Sequence, residues 1–293
     1  MSNATVNSQR LDGQVALITG ASSGMGTATA TALARLGAHV VLLCRDATRG
    51  AKAVETVKSE SGSGKVELLL ADLASQRSIH EAAAEFKRRH AQLHILVNNA
   101  GVNLGQRTVT PDGIEATLAT NHLGPFLLTH LLLDVLKASA PSRIVIVGSG
   151  GHRAGKIRLD DLQFERKYSA FQSYSQSKLA NVLFTYELAR RLKGTGVDVN
   201  CADPGVVATS LGSDQLLYRL VVKWPWLQTP SEGAQTAIHL ASAPELKGVT
   251  GKYFIKSQEK ASSKASYDER LARELWDVSA RLTRLEVASA RAA

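Results

Sequence analysis

Short, predominantly apolar and β-branched runs, separated by helix-forming stretches, constrain this chain more than any other feature. The runs are Val15–Ile18, His39–Cys44, Val66–Leu70, Leu93–Val97, Ile144–Val147, Val197–Ala202 and Tyr253–Ile255. A strand with one face in water alternates apolar and polar residues; a strand covered on both faces is apolar throughout, as in a parallel sheet. Helical stretches fall between the runs at Thr27–Leu36, Ser78–His90, Gly113–Leu136 and Tyr174–Leu192, with Gly37 as a helix stop. Such strand–helix–strand repetition predicts an α/β fold, a doubly wound parallel sheet. No linker interrupts it, so a single domain is expected over 12–285, between an N-terminal tail at 1–11 and a C-terminal tail at 286–293.

Composition narrows the function classes. The 293 residues are 44% hydrophobic and carry a formal net charge of +9. The Lys and Arg residues are scattered rather than clustered in a basic helix, which argues against nucleic acid as a partner. Cys44 and Cys201 lie in apolar runs and form no C-x-x-C pair; buried thiols in a reducing compartment are expected. Met1 to Arg10 is polar, and no apolar run approaches the roughly 18 residues a membrane span needs. A cytoplasmic location without a transmembrane segment is the expectation.

The segment Thr19-Gly20-Ala21-Ser22-Ser23-Gly24-Met25-Gly26 joins a strand to a helix. Gly20 permits the tight turn, Gly24 lets backbone approach a pyrophosphate, and Gly26 lets the helix pack close to the strand. The phosphates of a dinucleotide then meet free N–H groups at a helix N-terminus. The second strand ends in Cys44-Arg45-Asp46. An acid at the strand end would hold a ribose 2′-hydroxyl, whereas an arginine accommodates a 2′-phosphate. Cys44 takes the acid's place and Arg45 follows, so NADP(H) is predicted; Asp46 is the competing feature.

Tyr174-Ser-Gln-Ser-Lys178 opens a helical run, and residues four apart share a helix face. An ammonium beside a phenol favours the phenolate, which suits general acid–base chemistry on a carbonyl or alcohol. Ser149 follows the strand Ile144–Val147, where it can hydrogen-bond an oxygen as charge develops. Asn98-Asn99-Ala100-Gly101 ends another strand, where it can line a cofactor, and Asn121 is a polar residue inside a helical run. Pro204-Gly205 follows the strand Val197–Ala202 and begins a loop able to close over a nicotinamide.

Taken together, these residues resemble the short-chain dehydrogenase/reductase family. The glycine loop, Asp72 in Ala71-Asp72-Leu73, Asn98-Asn-Ala-Gly101, Asn121, Ser149, Tyr174, Lys178 and Pro204-Gly205-Val-Val207-Ala-Thr209 match in order across about 12–285. Asn121-His-Leu-Gly124, Gln176-Ser-Lys-Leu-Ala-Asn-Val-Leu-Phe-Thr185 and Thr229-Pro-Ser-Glu-Gly-Ala-Gln235 resemble its retinol-dehydrogenase-like branch. The resemblance implies a Rossmann fold and a hydride passed between nicotinamide and a carbonyl carbon. It implies Tyr174 as proton donor or acceptor, Lys178 as its partner and a ligand of the nicotinamide ribose, Ser149 as support for the reacting oxygen, and Asn121 in a water relay. It places Asp72 and Leu73 on the adenine side, and Asn99, Ala100, Gly101, Val207 and Thr209 along the cofactor. Two departures stand out. Gly148 replaces a frequent second serine, a change expected to be harmless, and Pro125 falls inside the expected helix, where proline kinks.

Thr209–Thr229 is expected to be a substrate lid. It holds Leu216, Leu217, Tyr218, Trp224, Trp226 and other apolar residues, which suit a lipophilic small-molecule substrate. Core or dimer packing and a membrane-surface contact are the other readings of the same segment. The wide apolar face of Tyr174–Leu192 serves core burial and is compatible with a homo-oligomer. The expected function is an NADP(H)-dependent ketoreductase. A retinal or long-chain aldehyde reductase is the alternative, and a non-catalytic NADP(H)-sensing regulator is the alternative from another class.

Overall fold

In the computed structural model, which describes residues 10–207 and 228–285, the apolar runs become strands of one sheet. These are β1 (Val15–Thr19), β2 (His39–Cys44), β3 (Val66–Leu70), β4 (Ile95–Asn98), β5 (Ser142–Val147), β6 (Val197–Asp203), β7 (Lys252–Ile255) and a short β8 (Gln258–Glu259). Their order is β3-β2-β1-β4-β5-β6-β7-β8, and every pairing is parallel except β7 with β8. The doubly wound parallel sheet expected from the sequence is therefore present, closed at one edge by a hairpin that the apolar pattern did not announce.

The predominantly apolar character of the strands has a direct cause. In β1, Leu17 packs into the core on one face, while Ala16 and Ile18 pack into the core on the other. One layer consists of α1 (Gly24–Arg35), α2 (Ala47–Ser61) and, later in the chain, Pro230–Ser242. The opposite layer contains α3 (Gln76–Arg89) and the helices that follow β4 and β5. Several helices begin where the sequence provides a cap. Asp46 accepts from Arg49 N, Ser75 from Ser78 N and Ser169 from Gln172 N, and Thr229 forms a capping box with Glu232.

The stretch read as one helix, Gly113–Leu136, is four pieces. It comprises a single turn, α4 (Ala116–Leu118), a π-turn (Ala119–Leu123), α5 (Gly124–Leu131) and α6 (Leu133–Ala138). Glu115 sets the late start: its buried carboxylate accepts from Thr117 N and Leu118 N. Pro125 then sits in the first turn of α5, where its missing N–H breaks no bond within that helix. The proline ends one helix and begins another rather than kinking a continuous one. Beyond β5 come α7 (Ala170–Arg191), α8 (Pro230–Ser242) and α9 (Glu269–Leu282). Tyr174 therefore lies in the second turn of α7, not at its start.

Two boundary expectations need comment. Leu11, read as the end of a tail, is buried and its N–H donates to Leu36 O at 2.7 Å. The tail residues 1–9 and 286–293, and the lid apart from Gln228 and Thr229, lie outside the described residues. No helix among the described residues is long and apolar enough to cross a membrane.

Candidate active site

The strand order reverses between β1 and β4, and a doubly wound sheet offers its crevice beyond the carboxyl ends of the strands at that switch point. The glycine loop occupies it. Gly20 (φ +65°) and Gly24 (φ +61°) have left-handed backbones that favour glycine. A Cβ on Gly20 would stand 2.8 Å from Ala100 Cα, and one on Gly26 would stand 2.7 Å from Asn99 Nδ2. The loop is thus pressed against the end of β4. Ser23, the N-cap of α1, makes no side-chain capping bond, so its hydroxyl does not compete for the first N–H groups of the helix. Tight turn, close approach and uncapped N-terminus together fit the pyrophosphate of a dinucleotide.

Asn99 braces this loop rather than facing outward. Its Nδ2 donates to Thr19 O (2.8 Å), while Asn99 N and Ala100 N both donate to Thr19 Oγ1 at 3.0 Å. Leu73 has its side chain in the core, which leaves only its backbone to face a ligand. Asp72 accepts from Ala74 N at 2.9 Å and so closes its own loop after β3. Met25 and Val207 both pack on Gly233 of α8. Gly205 (φ +75°) donates its N–H to Asp203 Oδ1, beside Pro204. Thr209 lies outside the described residues.

At the end of β2, Asp46 and Arg45 separate in role. Asp46 is the cap of α2, and its Oδ1 accepts from Arg49 N at 2.8 Å. That bond holds its carboxyl below the usual range. Arg45 is exposed and makes no ion pair or side-chain hydrogen bond among the described residues. A cleft of about 470 Å³ beside the loop is lined by Ser22, Ser23, Gly24 and Arg49, and does not reach Ser149 or Tyr174. Arg49 is a basic residue that the sequence reading missed; only its place one helical turn after Arg45 signals it.

The polar groups converge beyond β4 and β5. Lys178 is buried, donates to Val147 O at 3.1 Å, and holds its Nζ 5.7 Å from the Tyr174 ring centre. Tyr174 itself is half-buried. Ser149 caps the short 3-10 turn Gly150–Ala154, with Oγ accepting from Gly151 N. A Cβ built on Gly151 would lie 3.3 Å from Tyr174 Cε1 and 3.4 Å from Ser149 Oγ, so hydroxyl and ring flank one point. On the other side, a Cβ on Gly101 would lie 3.5 Å from Asn121 Oδ1 and 3.6 Å from Lys178 Nζ.

Asn121 sits in the π-turn and its amide is fully engaged. Oδ1 accepts from Val102 N (2.7 Å), while Nδ2 donates to Val102 O and Ser177 Oγ, both at 2.9 Å. Ser177, another residue the sequence reading passed over, donates in turn to Tyr174 O. A buried network behind Ser149 was also missed. Tyr253 OH donates to Asp203 Oδ2, and His152 Nε2 accepts from Ser263 N at 3.0 Å. His152 Nδ1 therefore carries the proton and donates to Ser149 O at 2.7 Å. The network ties the Ser149 turn to the Pro204-Gly205 loop. Its members are far apart in sequence, which is why no local motif marks them.

Comparison with known proteins agrees with this geometry. The family model described as short chain dehydrogenase matches residues 14–216. The chain is 46% identical to human retinol dehydrogenase 14 over 288 residues, covering 92% of this chain and 86% of that one. It is 43% identical to mouse retinol dehydrogenase 11, covering 98% and 91%. Among solved structures, an uncharacterized protein from Mycobacterium paratuberculosis superposes with TM-score 0.79 at 32% identity, covering 95% of this chain and 96% of the other. A Pseudomonas aeruginosa RhlG/NADP active-site complex superposes at 0.66 with 27% identity, covering 84% and 95%. The chain belongs to the short-chain dehydrogenase/reductase family, in its retinol-dehydrogenase-like branch, and is an oxidoreductase of alcohol and carbonyl groups.

Proposed function

We infer that the chain is an NADP(H)-dependent oxidoreductase of lipophilic carbonyl compounds or alcohols, with Tyr174, Lys178 and Ser149 carrying the proton chemistry. The observation that carries this reading is the convergence of Ser149 Oγ and the Tyr174 ring on Gly151, with the Lys178 ammonium beside that ring. When bound, the cofactor supplies or accepts the hydride. Ser149 Oγ and Tyr174 OH hydrogen-bond the substrate oxygen. In reduction, Tyr174 OH gives its proton to that oxygen as negative charge develops; in oxidation it takes the proton. Lys178, fixed by Val147 O, keeps positive charge beside the phenolate that forms. Asn121 works through its main chain: its side chain is held by Val102 and Ser177, and Pro125, four residues on, has no N–H to offer its carbonyl. On this reading that carbonyl, without an i+4 N–H partner, holds a water beside the Lys178 ammonium.

NADP(H) is favoured because Asp46 is occupied as a helix cap, whereas Arg45 presents its guanidinium just after β2 and Arg49 adds a second in the first turn of α2, 3.7 Å from Asp46. The NADP complex of the Pseudomonas aeruginosa relative is in keeping with this. A retinoid or other long-chain aldehyde is the first substrate class to try, because the similar curated proteins are retinol dehydrogenases. A ketoreductase acting on other lipophilic ketones is the same chemistry in the same site. We place the protein in the reducing cytoplasm, in keeping with its two buried free thiols. Nicotinamide fluorescence titrations of the wild type and of Arg45→Ala/Arg49→Ala with NADPH and NADH test the cofactor assignment. The expected result is NADPH affinity reduced about tenfold or more by the double variant, with NADH affinity little changed. Equal affinity for both cofactors in the wild type contradicts the assignment.

A further inference from the structure

The opposite end of the sheet carries a second cluster of chemistry-bearing side chains, at the amino ends of β2 and β3. His39 is the first residue of β2, Glu67 the second of β3, and His90 the C-cap of α3. Val41 of β2 pairs with Glu67, and parallel-paired residues point to the same face, as does His39 two positions away. That is the face α3 covers, so the three side chains meet where α3 ends.

Their donor atoms converge. His39 Nε2 lies 2.9 Å and His90 Nε2 2.6 Å from Glu67 Oε1, and the three donor atoms are all within 4.8 Å of one another. His90 is nine-tenths buried, with its side chain 9% exposed. Although close, Glu67 Oε1 and His90 Nε2 are buried and neither makes an aligned hydrogen bond among the described residues. Both pairs stand at ion-pair distance, so they need positive charge among them, and a cation held by all three donors supplies it without relying on an aligned N–H.

We propose that His39, Glu67 and His90 form a site for one divalent transition-metal ion, with Zn²⁺ as the ligand, that pins the edge strand β3 to β2 and to the end of α3. Two imidazoles and one carboxylate suit zinc, which takes a water in its fourth position when three protein ligands are present. Donors of a tetrahedral zinc stand roughly 3.3 Å apart, given bond lengths of about 2.0–2.1 Å. From 2.6 Å, His90 and Glu67 need to separate by about 0.7 Å, and from 2.9 Å, His39 and Glu67 by about 0.4 Å. The surroundings support an ion. The carbonyl end of α3 favours positive charge. Arg89 Nη1 lies 3.6 Å from Glu67 Oε2 and donates to Leu68 O, so the second carboxylate oxygen has an outer partner that orients it. His39 stacks edge-on against His90 at 5.1 Å, and Phe86 lies 4.9 Å from His90, which limits ring rotation. The site is at the far end of β2 from Arg45 and does not depend on the catalytic reading.

Calorimetric titration of the untagged full chain with ZnCl₂, paired with Co²⁺ absorption spectroscopy, tests the proposal. One equivalent of Zn²⁺ is expected to bind, and Co²⁺ is expected to show the intense visible bands of a tetrahedral site. His39→Ala removes the most exposed ligand and leaves the core intact; Glu67→Gln keeps shape and removes charge. Each is expected to weaken zinc by roughly 100-fold or more, beyond the 10–100-fold typical of losing an outer partner. His80→Ala, on the outer face of α3, is expected to change nothing. Absence of stoichiometric binding in the wild type, absence of tetrahedral cobalt bands, or equal affinity in His39→Ala overturns the assignment.

Discussion

Gly148 shows how a single residue is explained by its neighbours. Glycine in place of the frequent serine was expected to be harmless, and its surroundings give a reason to keep it: a Cβ at 148 would stand 2.6 Å from Cys201 Sγ. Cys201 is fully buried, and burial pushes its thiol up to about 12, so it acts as a small apolar filler rather than a nucleophile. Glycine at 148 and cysteine at 201 are a matched pair. Gly148→Ser is expected to destabilise the fold by about 1–3 kcal/mol through overpacking. Adding Cys201→Ala should restore most of that loss, a coupling that a double-mutant cycle in urea measures. Additive effects would contradict the match. The residues proposed for the proton chemistry could be named from the sequence because their types and order are local: Tyr174 and Lys178 share a helix face, and Ser149 follows a strand. The supports His152, Tyr253 and Asp203 were not, because only the folded sheet brings β6, β7 and the turn after β5 together.

At the scale of the element, the π-turn Ala119–Leu123 is the part of the fold the sequence concealed. Its apolar spacing reads as one helix, and an asparagine and a proline were the only signs of interruption. The break is set by tertiary contacts. Glu115 caps from a buried position and accepts from Ser173 Oγ of α7 at 3.1 Å. Glu115→Ala is expected to lower stability by about 2 kcal/mol, since two backbone N–H groups and a hydroxyl lose their acceptor. A cost under about 0.5 kcal/mol in chemical denaturation would contradict that role. The same turn carries His122, fully buried, with Nδ1 3.3 Å from Asn181 Oδ1 and Nε2 2.9 Å from Ser279 Oγ of α9. Burial lowers its pKa to about 4 from the ordinary 6.5. Between those values the unfolded chain binds a proton that the folded chain refuses, so stability falls as pH drops through this window and is retained above it. The loss from this group amounts to about 3 kcal/mol at most. His122→Gln should flatten that part of the profile, and an unchanged slope between pH 7 and pH 4 would show that His122 is not its source.

At the scale of the whole molecule, the doubly wound sheet puts its two clusters at opposite ends. The strands' carboxyl ends gather the glycine loop, Ser149, Tyr174 and Lys178 at the switch point, while their amino ends hold His39, Glu67 and His90. The sheet itself was readable, because strands covered on both faces must be apolar throughout, and the helix starts were readable where a cap precedes an apolar run. Substrate class is less direct: the lid segment lies outside the described residues, so relatedness to retinol dehydrogenases carries that part of the reading. The account turns on a hydride moving to a carbonyl carbon under protonation by Tyr174. Its most direct test is transfer of deuterium from C4-deuterated NADPH to a lipophilic aldehyde such as retinal, followed by mass spectrometry in wild type and Tyr174→Phe, with NADPH binding measured alongside. The predicted result is label on the product carbinol carbon in the wild type, and a rate at least about 100-fold lower in the variant with cofactor affinity retained. Label transfer at the wild-type rate in Tyr174→Phe would contradict the account.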